Sequence, residues 1–200
     1  MKVTLLCSCE NYNEHIIKNY LIVGDDSGRD SGRDSGRDSG RDSGEYRDET
    51  TCGVHKKLIC NPYLSSKGIH DAQCLSHSKI FDLVICSPLN ASKKTFAVSD
   101  IKHSGFHRIF ISFLCRETMI NMGDFFEHEF TYKQPEIQMN INKRIYDFVD
   151  YLYQRVDYHG LSRKHVNILI VTHRNFIYHF TTLFSKSYHC SPGEFVICDV

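Results

Sequence analysis

The sequence predicts an α/β domain, a three-layer α/β/α sandwich around a mostly parallel central sheet. Three observations carry that expectation. Short apolar runs rich in β-branched residues, such as "DLVIC" at 82–86 and "NILIVT" at 167–172, read as buried strands. Stretches with apolar residues at helical spacing lie between them. The two types alternate along the chain, which is the pattern of a doubly wound sheet covered on both faces.

Each element follows from its own pattern. Lys2–Cys7 is a strand running into the polar stretch "SCENYNEH". A turn at Asn61-Pro62 precedes a weak helix over 66–77. The strand at 82–86 leads to Ser87-Pro88 and a short helix over 92–98. "RIFISF" at 108–113 is another strand. Ile141, Ile145, Phe148, Val149, Leu152 and Val156 share one face of a long amphipathic helix over 139–157. The strand at 167–172 is followed by a helix whose apolar face is Phe176, Ile177, Phe180, Leu183 and Phe184, and a strand over 194–198 closes the chain.

The chain of 200 residues is expected to form one domain, 1–200, since 41% apolar content can fill one sizeable core. One segment differs. Residues 25–48 hold the tetrapeptide repeat "DSGR", with eight acids and five arginines and no aliphatic residue. Such a segment cannot bury enough apolar surface to offset the entropy of ordering, so a disordered loop inserted after the first strand is expected. The repeat also matches a phosphodegron pattern, Asp-Ser-Gly-x-x-Ser, although replication slippage accounts for it without any function.

Composition narrows the function classes. Formal net charge is zero at pH 7, so no basic excess points to nucleic acid or a membrane surface. The apolar runs are far too short to span a bilayer, and "MKVTLL" has no signal-peptide pattern. Nine cysteines, odd in number and irregular in spacing, with no C-x-x-C pair, imply free thiols and a reducing, cytoplasmic location.

In a doubly wound sheet the ligand site lies at the carboxyl ends of the strands. Those ends carry Cys7-Ser8-Cys9-Glu10, Ser87-Pro88-Leu89, Arg116-Glu117 and Thr172-His173-Arg174. Two of them run directly into a helix N-terminus, which favours an anion. The candidate is therefore a phosphate pocket containing His173, Glu117 and cationic groups.

At this point the chain resembles the histidine phosphatase (phosphoglycerate mutase-like) superfamily over nearly all its length apart from the repeat. "NPYLSSKGIHDAQ" resembles the family's Leu-Thr-x-x-Gly-x-x-Gln-Ala segment, with Leu64, Ser65, Gly68 and Ala72 in register. "CSPLNASKKT" resembles the Ser-Ser-Pro-Leu-x-Arg-Ala block, keeping Ser87, Pro88, Leu89 and Thr95. "FLCRET" resembles the segment with the general acid, here Glu117, and "VTHR" the Val-Thr-His-Gly segment, with His173 as second pocket histidine.

The family's first strand ends in Arg-His-Gly-Glu, and its histidine takes up the phosphoryl group. Here those positions are Cys7, Ser8, Cys9 and Glu10, so Ser8 stands at the nucleophile position. The second clamping arginine falls on Ala91, and the glycine after His173 is Arg174. The resemblance implies no cofactor and no metal. It implies a divergent protein of phosphomonoester hydrolysis or phosphoryl transfer, with catalysis impaired because phosphoryl transfer depends on positioned charge. His173, Glu117 and Ser8 are the catalytic candidates, and Ser87, Arg174 and Glu10 the phosphate-binding ones. Ser87 is also expected to cap the helix after it. The alternative is a non-catalytic pseudoenzyme that holds a phosphorylated small molecule or a phosphoprotein. A weaker alternative is a Cys/His metal site built from Cys7, Cys9, His173 and Glu117. Against it, residues 7 and 9 of one strand end point to opposite faces.

Overall fold

The computed structural model describes residues 1–15, 60–105, 108–118, 138–184 and 186–200. The repeat at 25–48 lies outside the described residues. Among the described residues, ten elements build the fold: β1 (Lys2–Cys7), α1 (Ser66–Gln73), β2 (Leu83–Cys86), α2 (Asn90–Val98), β3 (Ile109–Ile111), a 3₁₀ turn (Phe113–Cys115), α3 (Gln138–Tyr158), β4 (Ile168–Thr172), α4 (Arg174–Phe184) and β5 (Phe195–Asp199).

These five strands form one sheet in the order β3-β2-β4-β1-β5. The β1–β4, β2–β4 and β2–β3 pairs are parallel, and β5 runs antiparallel beside β1. Because side chains alternate across a strand, each central strand supplies both faces. Val3, Leu5, Leu83, Ile85, Ile168 and Ile170 pack with α3 and α4 through Phe148, Leu152, Phe176 and Phe180. Leu6, Val84, Cys86, Leu169 and Val171 face the other way, against Phe81, Ile101 and Phe96. Three layers result, as the alternation of patterns predicts.

Boundaries depart from the sequence reading where local hydrogen bonds decide them. The weak helix stops at Gln73 instead of 77, and α2 begins two residues early, at Asn90. Asn61 explains the earlier start. Its left-handed backbone (φ 45°) turns its side chain so that Oδ1 accepts from the Asn90 N–H at 2.7 Å, while the Asn90 amide donates to the Asn61 carbonyl at 2.9 Å. Ser87 therefore does not cap α2. The residue at the cap is Leu89, which offers no side-chain acceptor. The expected strand at 108–113 shortens to three residues because Ser112 accepts from the Leu114 N–H and starts a 3₁₀ turn.

α1 is fixed against the end of β1. Ser65 accepts from the Gly68 N–H at 3.0 Å, donates its hydroxyl to Glu10 Oε1 at 3.0 Å, and donates its N–H to the Glu10 carbonyl at 3.0 Å. The approach is close enough that a Cβ on Gly68 would lie 2.0 Å from the Glu10 carbonyl oxygen, so glycine is required there.

Candidate functional site

The parallel register decides which residues meet. Cys7 pairs with Thr172, and Cys86 with Val171. One residue further on, the Ser8 N–H donates to the Thr172 carbonyl at 2.8 Å and the Ser87 N–H to the Val171 carbonyl at 2.9 Å. Ser8, Ser87 and His173 thus emerge side by side at the carboxyl ends of β1, β2 and β4.

His173 stands at the cap position of α4, and its carbonyl accepts the Ile177 N–H at 3.0 Å. Its imidazole turns into the strand ends and does not cap the helix. Nδ1 lies 3.1 Å from Ser8 Oγ. Nε2 lies 2.9 Å from Ser92 Oγ and 3.1 Å from Ser87 Oγ. Both ring nitrogens are therefore engaged by neutral hydroxyls. Burial, helped by the positive charge of Arg116, pulls the imidazole pKa down to about 3. The ring is neutral at pH 7.

With His173 turned away, the exposed N–H groups at the start of α4 need another acceptor. Glu117 supplies it. Oε1 accepts from the Phe176 N–H at 3.0 Å and from the Thr118 N–H at 2.9 Å, and Oε2 accepts from the Asn175 N–H at 3.3 Å. The carboxylate sits at the positive end of the helix, where negative charge is favoured. The segment before it is held from α3, because Arg144 Nη1 donates to the Leu114 carbonyl at 2.8 Å and the Arg116 carbonyl at 2.9 Å.

The remaining candidates separate from this centre. Glu10 is buried, and its Oε1 meets Ser65 and, at 3.3 Å, His15 Nδ1. Arg174 is half exposed and pairs with Glu14. The positions that the resemblance assigns to clamping arginines are filled by packing. Cys7 lies in the core beneath α3 and α4, and Ala91 lies in a small apolar cluster with Cys9, Leu64 and Ala72. Cys7 and Cys9 thus belong to opposite faces, and among the described residues no group of three His, Cys, Asp or Glu side chains could hold a metal ion.

Sequence reasoning missed two residues of the centre. Ser92 sits one position past Ala91, where the resemblance draws attention to a lost arginine. Its position on the first turn of α2 places its hydroxyl on His173. Arg116 reads as a solvated turn residue beside Glu117, yet it is buried, and its charge bears on His173. A cation directly after the apolar run Phe113-Leu114-Cys115 is the one signal that could have pointed to it.

Chemically, the arrangement resembles a nucleophile–base pair with neutral orienting groups. Its base is weak. A general base must hold a proton in the transition state, and an effective one has a pKa near the working pH. An imidazole pulled down to about 3 takes the Ser8 proton poorly, and among the described residues its far nitrogen meets the hydroxyls of Ser87 and Ser92 and no carboxylate.

No protein-family model and no curated protein sequence matches the chain. Solved structures do. The alpha-ribazole phosphatase from Shigella flexneri superposes with a TM-score of 0.56 at 16% identity, covering 100% of this chain and 91% of that one. The phosphoglycerate mutase from Thermus thermophilus gives 0.52 at 12% identity, covering 98% and 92%. The chain therefore shares a phosphoglycerate mutase-like α/β/α fold with these proteins, the architecture that the sequence resemblance implies.

Proposed function

We propose, from a fold shared with phosphatases and mutases, that this chain is a divergent phosphatase-like protein whose phosphoryl-transfer chemistry is impaired. The observation that carries this reading is the neutral cluster around His173. Ser8, Ser87 and Ser92 occupy both ring nitrogens. Glu117 directs both oxygens at backbone N–H groups of α4 and of Thr118, the arrangement of a helix-capping acceptor. The bidentate arginine clamps that stabilise a transferring phosphoryl group have no counterpart at Cys7 and Ala91. Losing one such donor costs ~10²–10³ in rate, and here the nucleophile and both clamps are replaced together.

The test is hydrolysis of p-nitrophenyl phosphate by the purified full chain. No turnover above a buffer blank is expected. Turnover that disappears in His173→Ala would overturn the reading.

One observation favours a second role, the binding of a phosphorylated small molecule or phosphoprotein without turnover. Arg116 is buried, and its positive charge acts on the His173 ring that the three serine hydroxyls contact. Calorimetric titration with inorganic phosphate is expected to show binding that Arg116→Ala removes, while equal heats for the two proteins would rule this role out. The eight described cysteines are all free thiols, seven of them buried or half-buried, which supports a reducing, cytoplasmic setting. Among the described residues no helix is long and apolar enough to cross a membrane.

A further inference from the structure

Two exposed aromatic residues adjoin just beyond the strand ends. Asn11 bridges to Leu64 in antiparallel sense, and the Tyr12 N–H donates to the Tyr63 carbonyl at 2.9 Å. Tyr63 lies between buried Pro62 and Leu64, and alternation turns it outward, 66% exposed. Tyr12 beside it is 45% exposed. A single surface aromatic needs no explanation, whereas neighbouring ones on a fixed backbone mark a contact surface.

The frame under this pair is built from the elements that carry the His173 centre. Segment 61–65 is fixed at both ends. At one end Asn61 Oδ1 accepts the Asn90 N–H and the Asn61 carbonyl accepts the Asn90 amide, two residues before Ser92. At the other end the Ser65 N–H donates to the Glu10 carbonyl, two residues after Ser8. Tyr63 is the midpoint, no more than ~7 Å along the chain from either anchor. Tyr12 is held from a third side. The Asn11 N–H donates to Glu14 Oε2 at 2.9 Å, the Glu14 N–H donates to Asn11 Oδ1 at 3.0 Å, and Glu14 pairs with Arg174, the residue after His173. The two tyrosines therefore stand on the rim of the centre formed by Ser8, Ser87, Ser92 and His173.

We propose that Tyr12 and Tyr63 hold a flat ring, and that the ligand of this face is a phosphate monoester carrying one, in chemical class a nucleoside monophosphate. The phosphate half rests on the phosphate-holding role proposed above, and the ring half on the tyrosines alone.

The side-chain chemistry selects this class. A tyrosine offers a π-face and a hydroxyl at its tip, and it loses little conformational entropy on contact because it has few rotatable bonds. Every nucleobase has a π-face of its own, so stacking requires no match of hydrogen-bonding groups. An alkyl phosphate brings no such face. The cations at this end of the sheet supply the sign opposite to one phosphate group, through buried Arg116, whose charge bears on His173, and half-exposed Arg174.

The experiment titrates the purified full chain by calorimetry with inorganic phosphate, glycerol phosphate, adenosine and adenosine monophosphate. Adenosine monophosphate is expected to bind at least ~10-fold more tightly than glycerol phosphate, the order of gain that one stacked base brings. That margin should survive Tyr63→Phe, which keeps the ring, and vanish when Tyr12→Ala and Tyr63→Ala are combined. Both positions are exposed, so the variants should keep the urea midpoint of wild type. Equal affinities for the two organic phosphates would overturn the ring site and leave the phosphate-holding role standing. A margin unchanged in the alanine variant would also overturn it. Adenosine binding that the alanine variant loses, with no heat from inorganic phosphate, would support the ring site and overturn the phosphate half.

Discussion

His173 has lost the company that makes a pocket histidine acidic or basic at will. A buried imidazole with hydroxyls on both nitrogens and a guanidinium nearby favours its neutral form, and its pKa falls to about 3. In the unfolded chain the same ring titrates near 6.5. Between those values the unfolded state binds a proton that the folded state refuses, so stability rises with pH across that window. The contribution is complete above about pH 6.5 and is lost on acidification towards 3, with a slope of ~1.4 kcal/mol per pH unit for one proton. Urea melts at a series of pH values should therefore show wild type converging on His173→Gln as the pH drops from 7 to 4. Parallel curves for the two proteins would show that the ring titrates normally in the fold. The identity of this residue was legible in "VTHR". Its neutral state was not, because that depends on Ser92 and Arg116, which reach it only through the register of β2 and β4 and the seating of the segment after β3.

At the scale of elements, Glu117 changes its apparent role once α4 is in view. The motif suggests a proton donor, whereas the structure makes it the acceptor for the first turn of the helix. The sequence could not distinguish the two, because a carboxylate at a strand end serves either purpose and the choice rests on the direction in which His173 turns. If the capping role is the main one, Glu117→Ala should destabilise the fold by about 1–2 kcal/mol, the usual cost of a lost cap. Amide exchange at Asn175 and Phe176 should accelerate more than elsewhere in α4. Glu117→Gln keeps an acceptor oxygen and should lose less. Equal losses in both variants, with unchanged exchange at those two amides, would mean the carboxylate acts elsewhere. Other boundaries failed for similar reasons. Asn61 sits 29 residues before the helix it caps, and a cap contributed from so far away leaves no local signal.

The molecule as a whole follows the hydrophobic pattern closely, since the sheet faces are set by strict alternation in β1, β2 and β4. Val3 and Leu5 go to one side and Leu6 to the other. What the pattern could not supply is the antiparallel sense of β5, because a half-buried strand reads the same in either direction. The larger core lies between the sheet and the pair α3 and α4, and Phe148 is central to it. Its ring meets Phe176 edge-on at 5.6 Å and Phe180 at 6.3 Å, and stacks on Tyr151 at 6.4 Å, with no exposed surface. Truncation would leave a cavity at the junction of two helices and the sheet. Such losses cost about 3–5 kcal/mol, a large part of the ~5–15 kcal/mol that holds a domain folded. Ile197, on the edge strand β5, is 60% exposed and offers the contrast. Its replacement by Thr keeps the β-branch and should change stability by no more than ~0.5 kcal/mol. Urea melts of Phe148→Ala and Ile197→Thr should accordingly differ by several kcal/mol. A Phe148→Ala midpoint near that of wild type would mean that α3 and α4 do not pack on the sheet as one layer.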